Sequence, residues 1–117
     1  MARESVEKLI REYVEKLRQN NIRVARAILF GSRARGDADE QSDIDVAIIS
    51  PDLGRDRFKE AVRLKLLTEH VDTNISPRPY SPEEIDESVR GTFLHDEILA
   101  KGKVVYSAQD GRVEARP

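Results

Sequence analysis

Two stretches set the fold: Leu29-Phe-Gly-Ser-Arg-Ala-Arg-Gly36 and, after a polar interval, Ser42-Asp-Ile-Asp-Val-Ala-Ile-Ile49. The first completes a short apolar run, Val24 to Phe30, stopped by Gly31 as a buried strand would be. The interval from Gly31 to Ser42 is polar, holds two glycines and lacks any branched aliphatic residue. It reads as a surface loop with room for one helical turn. From Asp43 to Ile49 the chain alternates acid and aliphatic before turning wholly apolar, which suits a strand with one end at a site and the other in a core. A connection this short favours an antiparallel pair of neighbours.

Working outward, Val6, Leu9, Ile10, Tyr13, Val14 and Leu17 recur at three- and four-residue spacing and predict an amphipathic helix from Ser5 to about Asn20. Phe58, Ala61, Val62, Leu66 and Leu67 mark a second helix from about Asp56 to His70, and both aliphatic stripes are expected in the core. Val71 to Ser76 is expected as a third strand, ended by Pro77 and Pro79, which cannot donate to a ladder. Ser81-Pro-Glu-Glu reads as an N-cap, a first-turn proline and helix-favouring acids. A further helix is expected over Phe93 to Ala100, stopped by Gly102, with Val104 to Tyr106 as a last strand. These elements give a mixed α/β or α+β fold, a small mixed or antiparallel sheet covered by helices. Residues 1–108 are read as one domain and 109–117 as a polar, frayed tail.

At 117 residues the chain sits at the common size for a single core. Its 20 basic and 22 acidic side chains nearly cancel, so no global field calls for a long nucleic-acid footprint or a membrane surface. The absence of cysteine removes disulfides, thiolate metal sites and cysteine nucleophiles together. No segment approaches 18 uninterrupted apolar residues, and a soluble cytoplasmic protein is expected. His70 at a helix end complements the helix dipole, and His95 reads as structural or interfacial.

Chemistry concentrates in Gly31, Ser32, Asp43 and Asp45. Without a Cβ, Gly31 permits a sharp exit from its strand and a close approach to a ligand. Ser32 adds a hydroxyl and a backbone N–H able to bind phosphate oxygens. Residues two apart on a strand share a face, so Asp43 and Asp45 aim at one point while Ile44 enters the opposite layer. Clustered carboxylates repel unless a cation or proton intervenes, and hard oxygen ligands suit Mg²⁺ or Mn²⁺ better than Zn²⁺. Two such ions together would activate an attacking oxygen and steady a leaving pyrophosphate. The bland alternative is that Gly, Ser and Asp are simply turn residues at a strand start. Arg33 and Arg35 suit phosphate oxygens but are as readily solvated. Asp37 and Asp39 read as exposed loop acids.

The run from Leu29 to Gly36, followed by Ser42-Asp-Ile-Asp45, resembles the signature of the minimal nucleotidyltransferases, a branch of the DNA polymerase beta superfamily. The resemblance extends to the helix, glycine and short strand from Ile98 to Tyr106, and implies a polymerase-beta-like nucleotidyltransferase fold. It implies that Gly31 and Ser32 bind the nucleotide, ATP above all, with Arg33, Arg35 and Ser42 as further candidates for nucleotide contact. It implies that Asp43 and Asp45 hold two Mg²⁺ ions, and that a third acid on a later strand shares a metal and acts as general base. Asp72 is the candidate, although Thr73 and Asn74 follow it where the family has aliphatic residues. Many members of this family pair with a helical HEPN-type partner as antitoxins, transferring AMP to it, binding it directly, or both. A protein acceptor is therefore implied, with a catalytically weak, nucleotide-binding antitoxin as the alternative. A transferase acting on RNA or a small molecule is disfavoured by the neutral charge and short chain. Oligomerisation stays open.

Overall fold

The computed structural model describes residues 3–36 and 42–108, with side chains from residue 6 onward. Asp37, Asp39 and the tail from 109 to 117 lie outside the described residues. The order is α1 (Arg3–Gln19), β1 (Arg26–Phe30), a single turn α2 (Ser32–Arg35), β2 (Ile44–Ile49) and α3 (Arg57–Leu67), extended by a 3₁₀ turn at Thr68–His70. Then come β3 (Ile75–Tyr80), α4 (Pro82–Asp86), a π-helical segment at Leu94–Leu99 and β4 (Lys103–Ser107). The sheet has four strands in the order β3-β2-β1-β4. β1 runs antiparallel to both β2 and β4, while β2 and β3 are parallel, so the sheet is mixed.

Strand alternation divides the core into two layers. Ile44, Val46 and Ile48 of β2, with Ala27 and Leu29 of β1, pack beneath α1 and α3. Ala47 and Ile49, with Ile28 and Phe30, face the other way against Tyr80, Ile85 of α4 and Ile98 of the π-helical segment. No described helix is long and apolar enough to cross a membrane.

The α1 stripe is core as its spacing demands: Val6, Ile10, Tyr13, Val14 and Leu17 are all buried. Asn21, at φ 67°, takes the left-handed turn that lets the chain leave the helix. The Tyr13 hydroxyl donates to the Leu64 carbonyl across 2.6 Å, tying α1 to α3, and burial pushes its pKa up. The α3 stripe departs from expectation. Leu64 is its buried anchor, whereas Phe58, Val62 and Leu66 are 78%, 44% and 59% exposed. The apolar face that α3 turns inward is centred on a different residue from the one its longest repeat suggested.

The third strand also departs from expectation. It begins at Ile75, not Val71, and runs through both prolines to Tyr80. Pro77 and Pro79 are tolerated because β3 is an edge strand and they occupy its outward phase. Inward carbonyls belong to even-numbered residues: Asn74 accepts from the Ile44 N–H and Tyr80 from the Ser50 N–H. Odd-numbered residues therefore face away from β2, and no ladder donor is lost. Their carbonyls are covered from α3, where Lys65 Nζ donates to Ile75 and an Arg57 guanidinium N–H donates to Pro79. Missing donors and capped acceptors together leave this edge a poor template for another strand.

Beyond β3, Ser81 and Glu84 form the capping box that their spacing suggests, each side chain accepting the other's backbone N–H. At the end of the β1–β2 pair remote from Asp45, Arg23 donates to both oxygens of Asp52 and holds that carboxyl down to about 2.

Candidate active site

At the other end of that pair, β1 delivers Phe30 opposite Asp45 and turns immediately at Gly31. Gly31 has φ 77° and ψ −154°, a conformation that essentially only glycine adopts. The turn brings its backbone against the Asp45 carboxylate so closely that a Cβ at Gly31 would stand 2.4 Å from Oδ2. The chain then coils into α2, whose Ala34 and Arg35 amides donate to the Gly31 carbonyl and whose Gly36 amide donates to Ser32. As at any helix start, the first amides, here of Ser32 and Arg33, fall outside the helix's own ladder.

Asp45 lies on the face of β2 that looks away from α1. With Gly31 and Ser32 it lines a cavity of about 450 Å³, shared with Phe30, Arg35, Ser76, Arg78, Phe93 and Glu97. Burial raises the Asp45 pKa and the charge of Asp43 adds to the rise, while Arg78 and Arg35 oppose it. Asp43 is exposed just before β2, near enough for its charge to be felt. Two carboxylates on one strand edge, one pressed into a cradle that a Cβ would fill, form a donor set suited to a hard divalent cation.

Other residues singled out in the sequence are distributed unevenly. Arg35 lines the cavity. Arg33 does not; its guanidinium donates to the Ser42 carbonyl across 2.7 Å, bracing the two ends of the polar loop. Ser42 thus takes part through its backbone. Asp72 is not brought to Asp45. It lies in the turn before β3, its carboxylate accepting the Asn74 N–H at 2.8 Å, and the residue in register with Asp45 is Ser76. Ser76 stands beyond that turn, whose Ile75 N–H donates to the Asp72 carbonyl, and Asp72 is not among the residues lining the cavity with Asp45. Among the described residues, no three acids or histidines stand close enough to hold one metal.

Ser76, Arg78, Phe93 and Glu97 entered the site without notice in the sequence. The signal was the alternation Ser76-Pro-Arg78, two polar residues in one phase, obscured by reading the prolines as a strand terminator. Arg78 lies over the Phe93 ring at 4.7 Å from its centroid, and Phe93 meets Phe30 edge-on at 5.8 Å. Glu97 belongs to the π-helical segment and is paired with Lys101 at 3.3 Å.

A model of the nucleotidyltransferase domain matches residues 10–101, spanning the glycine corner, both acids and the cavity walls. The chain belongs to this family. MJ0604 of Methanocaldococcus jannaschii, named by inference as a protein adenylyltransferase, is 36% identical over 101 residues, which are 86% of this chain and 97% of that protein. The fold of this nucleotidyltransferase is shared with a Sulfolobus solfataricus crystal structure described as a nucleotidyltransferase (TM-score 0.64, 18% identity, 92% of this chain and 85% of that one). It is shared also with a chain from the complex of tri-AMPylated Shewanella oneidensis HEPN toxin with MNT antitoxin (TM-score 0.51, 19% identity, 96% and 79%).

For this nucleotidyltransferase the contact between Gly31 and Asp45 makes a direct prediction. Gly31→Ala should displace the Asp45 carboxylate, because the clash is with a movable side-chain oxygen while the backbone conformation resists relief. A misplacement of about 1 Å at a reacting centre costs about a hundredfold in rate, and the strained backbone about 1–3 kcal/mol of stability. Transfer rates and thermal melts of the two proteins measure both effects. An unchanged rate would show that the carboxylate need not touch the glycine.

Proposed function

We propose that this nucleotidyltransferase uses Mg²⁺ to transfer AMP from ATP to a hydroxyl of a partner protein, as the antitoxin of a HEPN-type pair. The observation that carries the proposal is the Asp45 carboxylate held against the Gly31–Ser32 corner in a cavity of ligand size, in a chain that spans nearly all of a relative named by inference as a protein adenylyltransferase. In the transfer, the acceptor oxygen bonds to the α-phosphorus as the bond from that phosphorus to the oxygen bridging to the β-phosphate breaks. Pyrophosphate leaves and the hydroxyl proton passes to water.

Asp43 and Asp45 are the residues that would hold Mg²⁺, or Mn²⁺ in its place, which when bound offsets phosphate charge and polarises the reacting oxygens. Ser32 and the first amides of α2 would receive phosphate oxygens, and Arg35 would add charge across the cavity. Phe58, Val62 and Leu66 expose an apolar stripe on α3 of the kind a protein partner covers. The near-neutral net charge favours a protein acceptor over an RNA.

The separation of Asp72 from Asp45 favours a second reading, a slow or silent enzyme that neutralises its partner by binding. Both are tested by incubating the chain with the protein of the adjacent gene, Mg²⁺ and ATP labelled on the α-phosphate. Labelled partner that disappears on adding a chelator is the expected result. Neutralisation of the partner with no label transferred would replace the enzymatic reading with the binding one.

A further inference from the structure

We propose that Arg78 binds the phosphates of the nucleotide and that, with Ser76 in register beside Asp45, the cavity takes a single divalent cation with its nucleotide, not a pair. The inference rests on the nucleotidyl-transfer reading and specifies how the phosphate charge is met.

Parallel register sets Ser76 beside Asp45 and Arg78 beside Ala47, so Ser76 and Arg78 project from the same face of the sheet as Asp45. Adjacent strands lie about 4.8 Å apart, which makes the Ser76 position the nearest on β3 from which a third carboxylate could share a metal with Asp45. A serine hydroxyl there brings no charge. Glu97, the other acid of the cavity wall, is engaged by Lys101. The ionic groups lining the cavity are Asp45 and Glu97 against Arg35 and Arg78, and they balance. One dication can join Asp43 and Asp45 at the strand edge. A second would enter a wall that also carries the guanidiniums of Arg35 and Arg78, with Glu97 already engaged by Lys101, and cations gathered there repel one another.

The positive charge a second ion would bring is already present in Arg78. Its guanidinium is oriented over the Phe93 ring, and its charge is felt at Asp45. Among the described residues no carboxylate lies within ion-pair distance of it, so its N–H groups are free to take phosphate oxygens. A planar fork suits two oxygens of one phosphate, whereas an ammonium offers only a point charge.

Binding of a non-hydrolysable ATP analogue by the full chain, followed by calorimetry, and of Mn²⁺ in its presence, followed by electron paramagnetic resonance, tests the proposal without turnover. The wild type is expected to bind one Mn²⁺ per chain with the analogue, and Ser76→Asp to gain a second, while Ser76→Asn gains none. Arg78→Ala should weaken the analogue about tenfold or more, as loss of a charge-assisted hydrogen bond does, and Arg78→Lys should recover only part. Because Arg78 is exposed, both variants are expected to melt with the wild type. Two Mn²⁺ ions on the wild type, or analogue affinity indifferent to Arg78→Ala, would overturn this inference alone. Failure of the wild type to bind the analogue at all would overturn it together with the reading beneath it.

Discussion

Asp45→Asn is expected to lower nucleotidyl transfer by about a thousandfold while leaving the metal-free protein at least as stable as before. The substitution keeps the shape of a side chain that fits between Gly31 and the cavity and removes only its charge. Preorganised charge at a reacting centre is worth about a hundred- to a thousandfold in rate, and among the described residues it is the Asp45 carboxylate that lies against the glycine corner. Stability should respond in the opposite sense. Burial, and next the charge of Asp43, raise the Asp45 pKa above its ordinary value. A carboxyl whose folded pKa is raised binds protons more readily in the native state than in the unfolded one, so its ionised form at neutral pH counts against the fold. The cost disappears as pH falls through the raised pKa, and the amide removes it at every pH. Single-turnover transfer and thermal melts at pH 7 without metal make the comparison. Transfer by the variant at the wild-type rate would remove Asp45 from the chemistry.

Leu64→Ala should destabilise the protein by about 2–5 kcal/mol, the range for a fully buried leucine whose cavity cannot collapse. Leu64 is the buried residue of α3 and belongs to the same core cluster as Ile10, Tyr13, Leu17 and Ile48. Its carbonyl also receives the Tyr13 hydroxyl, so the truncation loosens the place where the two helices are bonded. For a domain of this size each kcal/mol is about 4 °C in Tm. Leu66→Ala, two residues along the same helix, removes the same atoms from a side chain that is 59% exposed and should fall within about 0.5 kcal/mol of the wild type. Thermal or urea denaturation of the pair tests the assignment of faces, and equal losses would contradict it.

The two variants show why α3 was only partly legible. Its sequence contains apolar residues on more than one side: Phe58, Val62 and Leu66 follow one another every fourth position, and Leu64 and Leu67 fall on another side. Periodicity reports that a helix is amphipathic, and it identifies the inner face only when one stripe is clearly dominant. In α1 one stripe dominates and the core was legible in full. In α3 the choice was made by what the helix packs on, the edge of β3 and the side of α1, contacts between residues remote in the chain.

The same division holds at the site. That Gly31, Ser32 and Asp45 meet, with Asp43 nearby, was legible because they lie within one strand-turn-strand unit, where local rules for glycine, strand alternation and carboxylate pairing suffice. Whatever β3 contributes could not be found so, since which of its residues stands beside Asp45 is a matter of register between strands joined through a helix. Asp72 looked eligible by residue type, yet register set Ser76 at Asp45 and carried Arg78 into the cavity. By itself, then, the sequence determined the order and type of most elements, the antiparallel pair at the centre and the acids at its edge, all consequences of short-range stereochemistry. Tertiary structure alone decided which face of α3 is buried, how an edge position admits two prolines to a strand, and which β3 side chains meet Asp45. Those outcomes depend on pairing across long stretches of chain, where the energy comes from contacts that no local pattern encodes.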